Sequence, residues 1–194
     1  YRGQCKLFIR YSKYRYARRV HFRDCVNQYQ GKQNSTIAPE VYSGLELEFR
    51  NHRLLEGGFS SPNEVKFNRI GKEHIYLFLK ELKMNKHYEN VNLIHYNLTG
   101  VKPDDISHLE TFLFDDFDTL TELYDKEFRF GKKAIDRRNF INTQYVLFQL
   151  LRRHRHACNL EDFSDLKTIE RRAFHENICR QLFQKLGWNH TSLF

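Results

Sequence analysis

Residues 140–151 read FINTQYVLFQLL, the most apolar stretch in a chain of 194 residues. Val146, Leu147 and Phe148, followed by Leu150 and Leu151, leave little polar surface on any side of a helix. Because a helix that is apolar all round is normally buried, we predict that this stretch forms the central helix of the fold.

Apolar residues with a helical period recur on both sides of this central segment. They predict a first helix from about Tyr14, a helix that begins at Pro39, a helical hairpin, an acidic helix and a last helix over about 167–186. No alternating strand pattern occurs, so we expect an all-α fold, a compact multi-helix domain of about seven helices. The predicted buried faces comprise Phe22, Cys25, Val26 and Tyr29; Val41, Leu45 and Phe49; Ile75, Phe78, Leu79 and Leu82; Val91, Ile94 and Leu98; Leu109, Leu113, Phe117, Leu120 and Tyr124; and Phe174, Ile178, Leu182 and Leu186.

Two helix ends carry recognisable signals. Ser107 and Glu110 have the spacing of a capping box at the start of the acidic helix. Gly187, with Trp188 behind it, is typical of a glycine-capped helix end with a hydrophobic closing contact.

The positive charge is concentrated at the start of the chain. Residues 1–32 hold nine Lys or Arg against a single acid, Asp24, and the rest of the chain holds 32 − 9 = 23 bases and 24 − 1 = 23 acids. We therefore divide the chain into a basic N-terminal arm and helix over 1–32 and a helical core domain over 33–194. The glycines, serines and proline of residues 56–71 predict a flexible linker within that core.

Eight excess charges within 32 residues form a field that attracts polyanions, and aromatic residues are interleaved with them. Arg15, Arg19 and Arg23 form a basic stripe on the first helix, and a second basic segment follows the central helix. The simpler alternative is a solvated basic helix whose aromatic residues belong to the core. The predicted contacts with DNA phosphates are Arg10, Lys13, Arg15, Arg18, Arg19, Arg23, Lys32, Arg152, Arg153 and Arg155.

Several other kinds of site were considered from the residue pattern. The acids Asp115, Asp116, Asp118, Glu122 and Asp125 are interpreted as solvated or paired with the basic segments, because an acidic face on an amphipathic helix is ordinary. Three His-x-x-x-Cys pairs have the spacing of zinc ligands, but helical cysteines are usually buried small hydrophobes. We expect no metal, no cofactor and no catalytic site. Those pairs are His21 with Cys25, His154 with Cys158, and His175 with Cys179.

The four sparse cysteines, and the absence of a signal segment or a membrane span from the sequence, favour a soluble protein with reduced thiols in an intracellular compartment. The first residue is Tyr1, not Met, which suggests that further sequence lies upstream.

Seven short motifs, in order and at matching spacing, resemble the poxvirus late transcription factor 3-like family as it occurs in giant viruses and other large DNA viruses. The motifs are Tyr16-x-Arg18-x-x-His21-Phe22; Gln28-Tyr29-Gln30-Gly31-Lys32; Ile37-x-Pro39-Glu40-Val41-Tyr42; Leu79-Lys80-x-Leu82-Lys83-x-Asn85-Lys86-x-Tyr88-Glu89; Leu98-x-Gly100; Arg138-Asn139-Phe140 with Tyr145-Val146-Leu147; and Ile178-Cys179-x-x-Leu182 with Leu186-Gly187-Trp188.

The resemblance implies a viral, non-enzymatic factor for late gene transcription that works with the viral RNA polymerase or other transcription factors, and with DNA. It also implies a location in the host cytoplasm, at the viral factory, or in the nucleus. Many members carry a zinc ribbon upstream of this region, and this chain contains no such ribbon. The alternative function is a protein-interaction scaffold that docks on an acidic partner such as a polymerase subunit.

Overall fold

The computed structural model describes residues 2–131, 140–163 and 169–192, and every regular element in these ranges is helical. The predicted all-α fold is confirmed. The described ranges contain eight α-helices where about seven were expected, because the four-residue α3 is too short to show a periodic pattern. The helices are α1 (Arg2–Tyr29), α2 (Pro39–Asn51), α3 (Asn63–Lys66), α4 (Lys72–Glu81), α5 (Val91–Thr99), α6 (Glu110–Tyr124), α7 (Thr143–Arg153) and α8 (Ile169–Leu186).

Three helices begin at residues other than those predicted. Helix α1 begins at Arg2, well before the predicted Tyr14. The sequence did not indicate this start, because the first turns carry cations on several sides and show no apolar stripe. Helix α6 begins at Glu110 and follows a 3-10 turn over Ser107–Leu109. Helix α7 begins at Thr143, because the Asn142 side chain accepts the Tyr145 N–H at 2.9 Å and caps the helix there.

The chain forms two compact units. Unit 1 comprises residues 1–26, 106–158 and 165–194, and unit 2 comprises residues 27–105 and 159–164. Packing places the boundary between the two units within α1, after Val26. The division into a basic arm over 1–32 and a core domain over 33–194 stays a prediction.

The core of unit 1 forms where α6 packs against α7 and α8. Tyr145, Val146 and Leu147 of α7 are buried, which confirms the central position predicted for this stretch. Helix α8 ends at Leu186, and the following Gly187 has a left-handed φ of 69°. The Trp188 N–H donates to the Phe183 carbonyl at 2.8 Å. The predicted glycine cap is confirmed.

Helices α2, α4 and α5 build the core of unit 2 around one apolar cluster, which includes the predicted Val41, Leu45 and Phe49. Phe67 and Ile70 belong to the same cluster and are buried, although they fall within the segment predicted to be a flexible linker. The glycine and serine content of that segment predicted a linker, but its last residues include two that belong to the core.

No helix in the described part of the chain is both long enough and apolar enough to cross a membrane.

Candidate nucleic-acid interface

One side of α1 is anchored to unit 1 by aromatic packing. Phe22 is fully buried and stacks on Phe117 of α6, with ring centroids 4.1 Å apart and nearly parallel planes. Cys25 and Val26, one turn further along α1, are also buried. The predicted apolar stripe is therefore the side on which the basic helix docks.

The same side carries an arginine that is inaccessible to solvent. Arg18 is 7% exposed, and its guanidinium donates to both carboxylate oxygens of Asp125, at 3.0 and 2.6 Å. The Tyr11 hydroxyl donates to the same carboxylate at 3.1 Å. Burial, and then the Asp125 carboxylate, raise the pKa of Tyr11, so its phenol remains a donor at neutral pH. A bidentate pair of this kind fixes the helix in both position and rotation.

Asp125 begins a π-helical turn over Asp125–Arg129 that extends α6. This turn also places Arg129 with its guanidinium carbon 3.9 Å from the centroid of the Tyr14 ring, while Arg18 lies 4.4 Å from the same centroid. Two cations therefore share one aromatic ring. The sequence analysis did not identify Arg129 as part of this site. Its position one turn after the acidic Asp125 could have indicated that the two residues lie on the same side of the helix.

The acidic side of α6 pairs with both basic segments. Asp118 accepts from Arg19 of α1. Asp116 accepts from Arg153 at 2.9 Å and lies 2.6 Å from the ring nitrogen of His154, at the end of α7. These contacts confirm that three of the acids, Asp125 included, are paired with the basic segments.

The structure thus separates the ten predicted phosphate contacts into two groups. Arg18, Arg19, Arg153 and Lys32 are engaged in ion pairs, the last with Asp105 at 3.2 Å within unit 2. Arg18 must be withdrawn as a phosphate contact because it is buried. The other six are exposed and form no ion pair with the described part of the chain: Arg10, Lys13, Arg15, Arg23, Arg152 and Arg155.

Four of these six cations lie on α1, and we call Arg10, Lys13, Arg15 and Arg23 the α1 cationic surface. They extend over 14 residues, from Arg10 to Arg23, or roughly 20 Å of helix. Two aromatic residues of α1, Phe8 and Tyr16, are also exposed. The aromatic residues interleaved with the cations therefore serve two purposes, since Phe22 packs the core while Phe8 and Tyr16 face solvent.

The three His-x-x-x-Cys pairs form no metal cluster within the described residues. Cys25, Cys158 and Cys179 are buried cysteines that form no disulfide within the described residues. Burial, followed by the nearby carboxylate of Glu176, raises the pKa of the Cys179 thiol, which therefore stays protonated at neutral pH. A buried, protonated thiol is a poor nucleophile and a poor metal ligand.

Comparison with known proteins shows that this chain is similar to viral proteins. A family model described as "Poxvirus Late Transcription Factor VLTF3 like" matches residues 10–190. "Putative transcription factor 282R" of Invertebrate iridescent virus 6 is 53% identical over 186 residues, covering 92% of this chain and 48% of the relative.

Two further relatives come from other viruses. "Putative transcription factor 079L" of Invertebrate iridescent virus 3 is 43% identical, over 93% of this chain and 48% of the relative. "Putative transcription factor 001R" of Frog virus 3 is 36% identical, over 89% of this chain and 63% of the relative. The chain thus spans about half the length of the first two relatives. No solved structure matches it.

Proposed function

This chain belongs to the Poxvirus Late Transcription Factor VLTF3 like family, and on that premise we propose that it serves viral late gene transcription by binding the phosphate backbone of DNA. The binding surface is the α1 cationic surface. The role is non-enzymatic, and it is exercised together with the viral RNA polymerase or other transcription factors, in the viral factory or the nucleus of the host cell.

The observation that supports this proposal is the separation of charges on α1. Arg18 is neutralised by a buried carboxylate, and Arg19 by a surface carboxylate. The four cations of the α1 cationic surface have no such partner in the described part of the chain. Unneutralised cations held on one helix bind polyanions, because each phosphate contact releases counterions from the DNA.

Arg152 and Arg155 add exposed charge at the end of α7, also in unit 1. Phosphate contacts of this kind position a protein on DNA without reading its sequence. The proposed surface therefore predicts affinity for duplex DNA of any sequence, and a selective promoter contact would require other residues.

The test is the salt dependence of DNA binding, measured by fluorescence anisotropy of a labelled duplex. We compare the intact chain with a four-cation variant that carries Arg10→Gln, Lys13→Gln, Arg15→Gln and Arg23→Gln. Each phosphate contact contributes about −0.9 to the log–log slope of affinity against salt, so losing four cations makes the slope shallower by up to about 3.6.

A matched control removes the same charge from unit 2, through Lys80→Gln, Lys83→Gln, Lys86→Gln and Lys102→Gln, all at exposed positions. The control should retain most of the slope if the α1 cationic surface is the binding site. Equal losses in the two variants would show that only net charge matters, and no binding by the intact chain would reject the proposal.

A second candidate function is docking on an acidic protein partner such as a polymerase subunit. The exposure of Phe8, Ile9 and Tyr16 among the cations favours it, since exposed apolar side chains contribute to protein interfaces. A Phe8→Ala, Tyr16→Ala variant that still binds duplex DNA normally but no longer binds an acidic polymerase subunit would support this function.

A further inference from the structure

Unit 2 contains a groove that takes no part in the function proposed above. It has a volume of about 410 Å³ and lies beside the C-terminal end of α2, the following loop and the end of α3. This volume lies within the range of roughly 300–1,000 Å³ that is common for small-ligand sites. Its lining combines three cations, Arg50, Arg53 and Lys66, with the aromatic ring of Phe59.

Phe59 is unusually exposed for an aromatic residue, at 85%. The guanidinium carbon of Arg50 lies over one face of the ring, 4.5 Å from the centroid. Because so much of the ring is accessible, a flat ligand can stack on its other face. Stacking would remove apolar surface from water and would retain the cation above the ring.

A closed turn supports Phe59. The Gly58 N–H donates to the Ser61 hydroxyl oxygen at 2.9 Å, and the Ser61 N–H donates to the Gly58 carbonyl at 3.0 Å. Gly57 has a φ of 72°, and a Cβ atom there would lie 2.3 Å from the Ser61 hydroxyl oxygen. The turn therefore requires glycine at this position, and it holds the exposed ring at its tip.

The groove is electropositive. Arg50 and Lys66 share one carboxylate oxygen of Glu46, at 3.0 and 2.5 Å. Arg53 is exposed and forms no ion pair with the described residues. Four cations and two carboxylates lie in or beside the groove, giving a net charge of 4 − 2 = +2: Arg50, Arg53, Lys66 and Arg69, with Glu46 and Glu56.

An aromatic face in a groove with a net charge of +2 matches the two parts of a nucleotide, a flat base and a phosphate. We propose that this groove binds a nucleotide of single-stranded nucleic acid, with the base stacked on Phe59 and the phosphate held by Arg53 and Arg50. An anion without an aromatic ring would make no stacking contact with Phe59. An apolar ligand would not neutralise the charge of Arg53. The site is independent of the α1 cationic surface, since it rests on unit 2 residues alone.

The first experiment places a reporter at the ring. In a Phe59→Trp variant, the introduced indole reports stacking through quenching of its fluorescence, after subtraction of the Trp188 signal measured with Phe59 intact. The four-cation variant serves as the background, so that binding at α1 does not contribute. A short oligothymidylate should quench the signal to saturation.

Two further ligands distinguish the contributions of base and phosphate. An abasic deoxyribose phosphate oligomer should bind roughly tenfold more weakly than oligothymidylate, because base–aromatic stacking accounts for about that factor. Thymidine monophosphate tests the source of the nucleotide. If it binds as tightly as the oligomer, the ligand is a free nucleotide, and if it binds much more weakly, the ligand is a strand.

Substitutions locate the site by anisotropy of labelled oligothymidylate in the same background. Phe59→Ala and Arg53→Gln should each weaken binding by roughly tenfold. The controls are Leu47→Ala, which removes an exposed apolar side chain of α2, and Lys80→Gln, which removes an exposed charge of α4. Melting temperatures confirm that each variant is folded.

The proposal is overturned if oligothymidylate fails to quench the introduced indole at millimolar concentration. It is also overturned if Phe59→Ala and Arg53→Gln bind no more weakly than their controls. Loss of duplex binding in the four-cation variant, with quenching retained, supports both sites separately, so the failure of one proposal is distinguishable from the failure of the other.

Discussion

The two sides of α1 carry the same residue type in opposite surroundings. Arg18 is 7% exposed and bound to both oxygens of Asp125, while Arg23, five residues later, is exposed and has no ion pair within the described residues. In the sequence, both residues belong to one basic segment, and both were predicted to contact DNA phosphates.

The difference shows that a charge count overstates a phosphate-binding surface. A buried guanidinium has lost its hydration, and the paired carboxylate replaces those lost interactions. An exposed guanidinium keeps its hydration until a phosphate arrives. We therefore expect substitutions on the buried side to change stability, and substitutions on the exposed side to change DNA binding.

The largest effect is expected from Asp125→Ala. This change leaves the Arg18 charge buried without its partner, which typically lowers the free energy of unfolding by about 3–5 kcal/mol. Urea denaturation followed by far-UV circular dichroism measures the loss. Asp115→Ala is the matched control, because Asp115 is an exposed acid on the same helix, and its replacement should change stability by less than about 0.5 kcal/mol.

A double variant distinguishes a lost ion pair from a lost carboxylate. Arg18→Met combined with Asp125→Leu removes both charges and should recover most of the stability, because apolar replacement of a buried pair is often neutral. If Asp125→Ala alone lowers the free energy of unfolding by less than about 1 kcal/mol, the Arg18–Asp125 pair does not anchor α1. The proposed difference between the buried and exposed sides of α1 would then be wrong.

Much of the fold was predictable because helical periodicity is a local property. The stripe of Phe22, Cys25 and Val26 is visible in the sequence, and all three residues are buried. The glycine cap at Gly187 was also predictable from the sequence. The start of α1 was not, since its first turns have no apolar stripe, and the short α3 has too few residues to show a period.

The candidate site was less predictable, because ion pairing joins residues far apart in the chain. Arg18 and Asp125 are 107 residues apart, and no local pattern indicates their pairing. The acidic face of α6 did indicate that some cations would be neutralised, but not which ones. The groove beside Phe59 could not be predicted for a related reason, since its residues come from two helices and a loop whose composition is typical of a linker.

A smaller effect is expected from Asp118→Asn, which releases Arg19 from its surface pair. Arg19 is 49% exposed on its side chain, so the freed guanidinium can join the α1 cationic surface. We expect duplex DNA to bind up to about fivefold more tightly, as about 1 kcal/mol of charge interaction allows. The salt slope should steepen by up to about 0.9.

Asp115→Asn provides the control for this gain, because it changes the net charge equally on the same helix and has no ion pair to release among the described residues. If the two variants gain the same affinity for duplex DNA, the change is caused by the net charge of the whole protein and not by the release of Arg19.

The smallest effect is expected for the contribution of that surface pair to stability. A double-mutant cycle of Arg19→Gln and Asp118→Asn should give a coupling of about 0.2–1 kcal/mol, because exposed pairs gain little over solvation. The coupling should fall further in high salt, which screens exposed charges. A coupling above about 2 kcal/mol would place Arg19 with Arg18 as an anchor of α1, and the release of Arg19 would then cost stability without adding a phosphate contact.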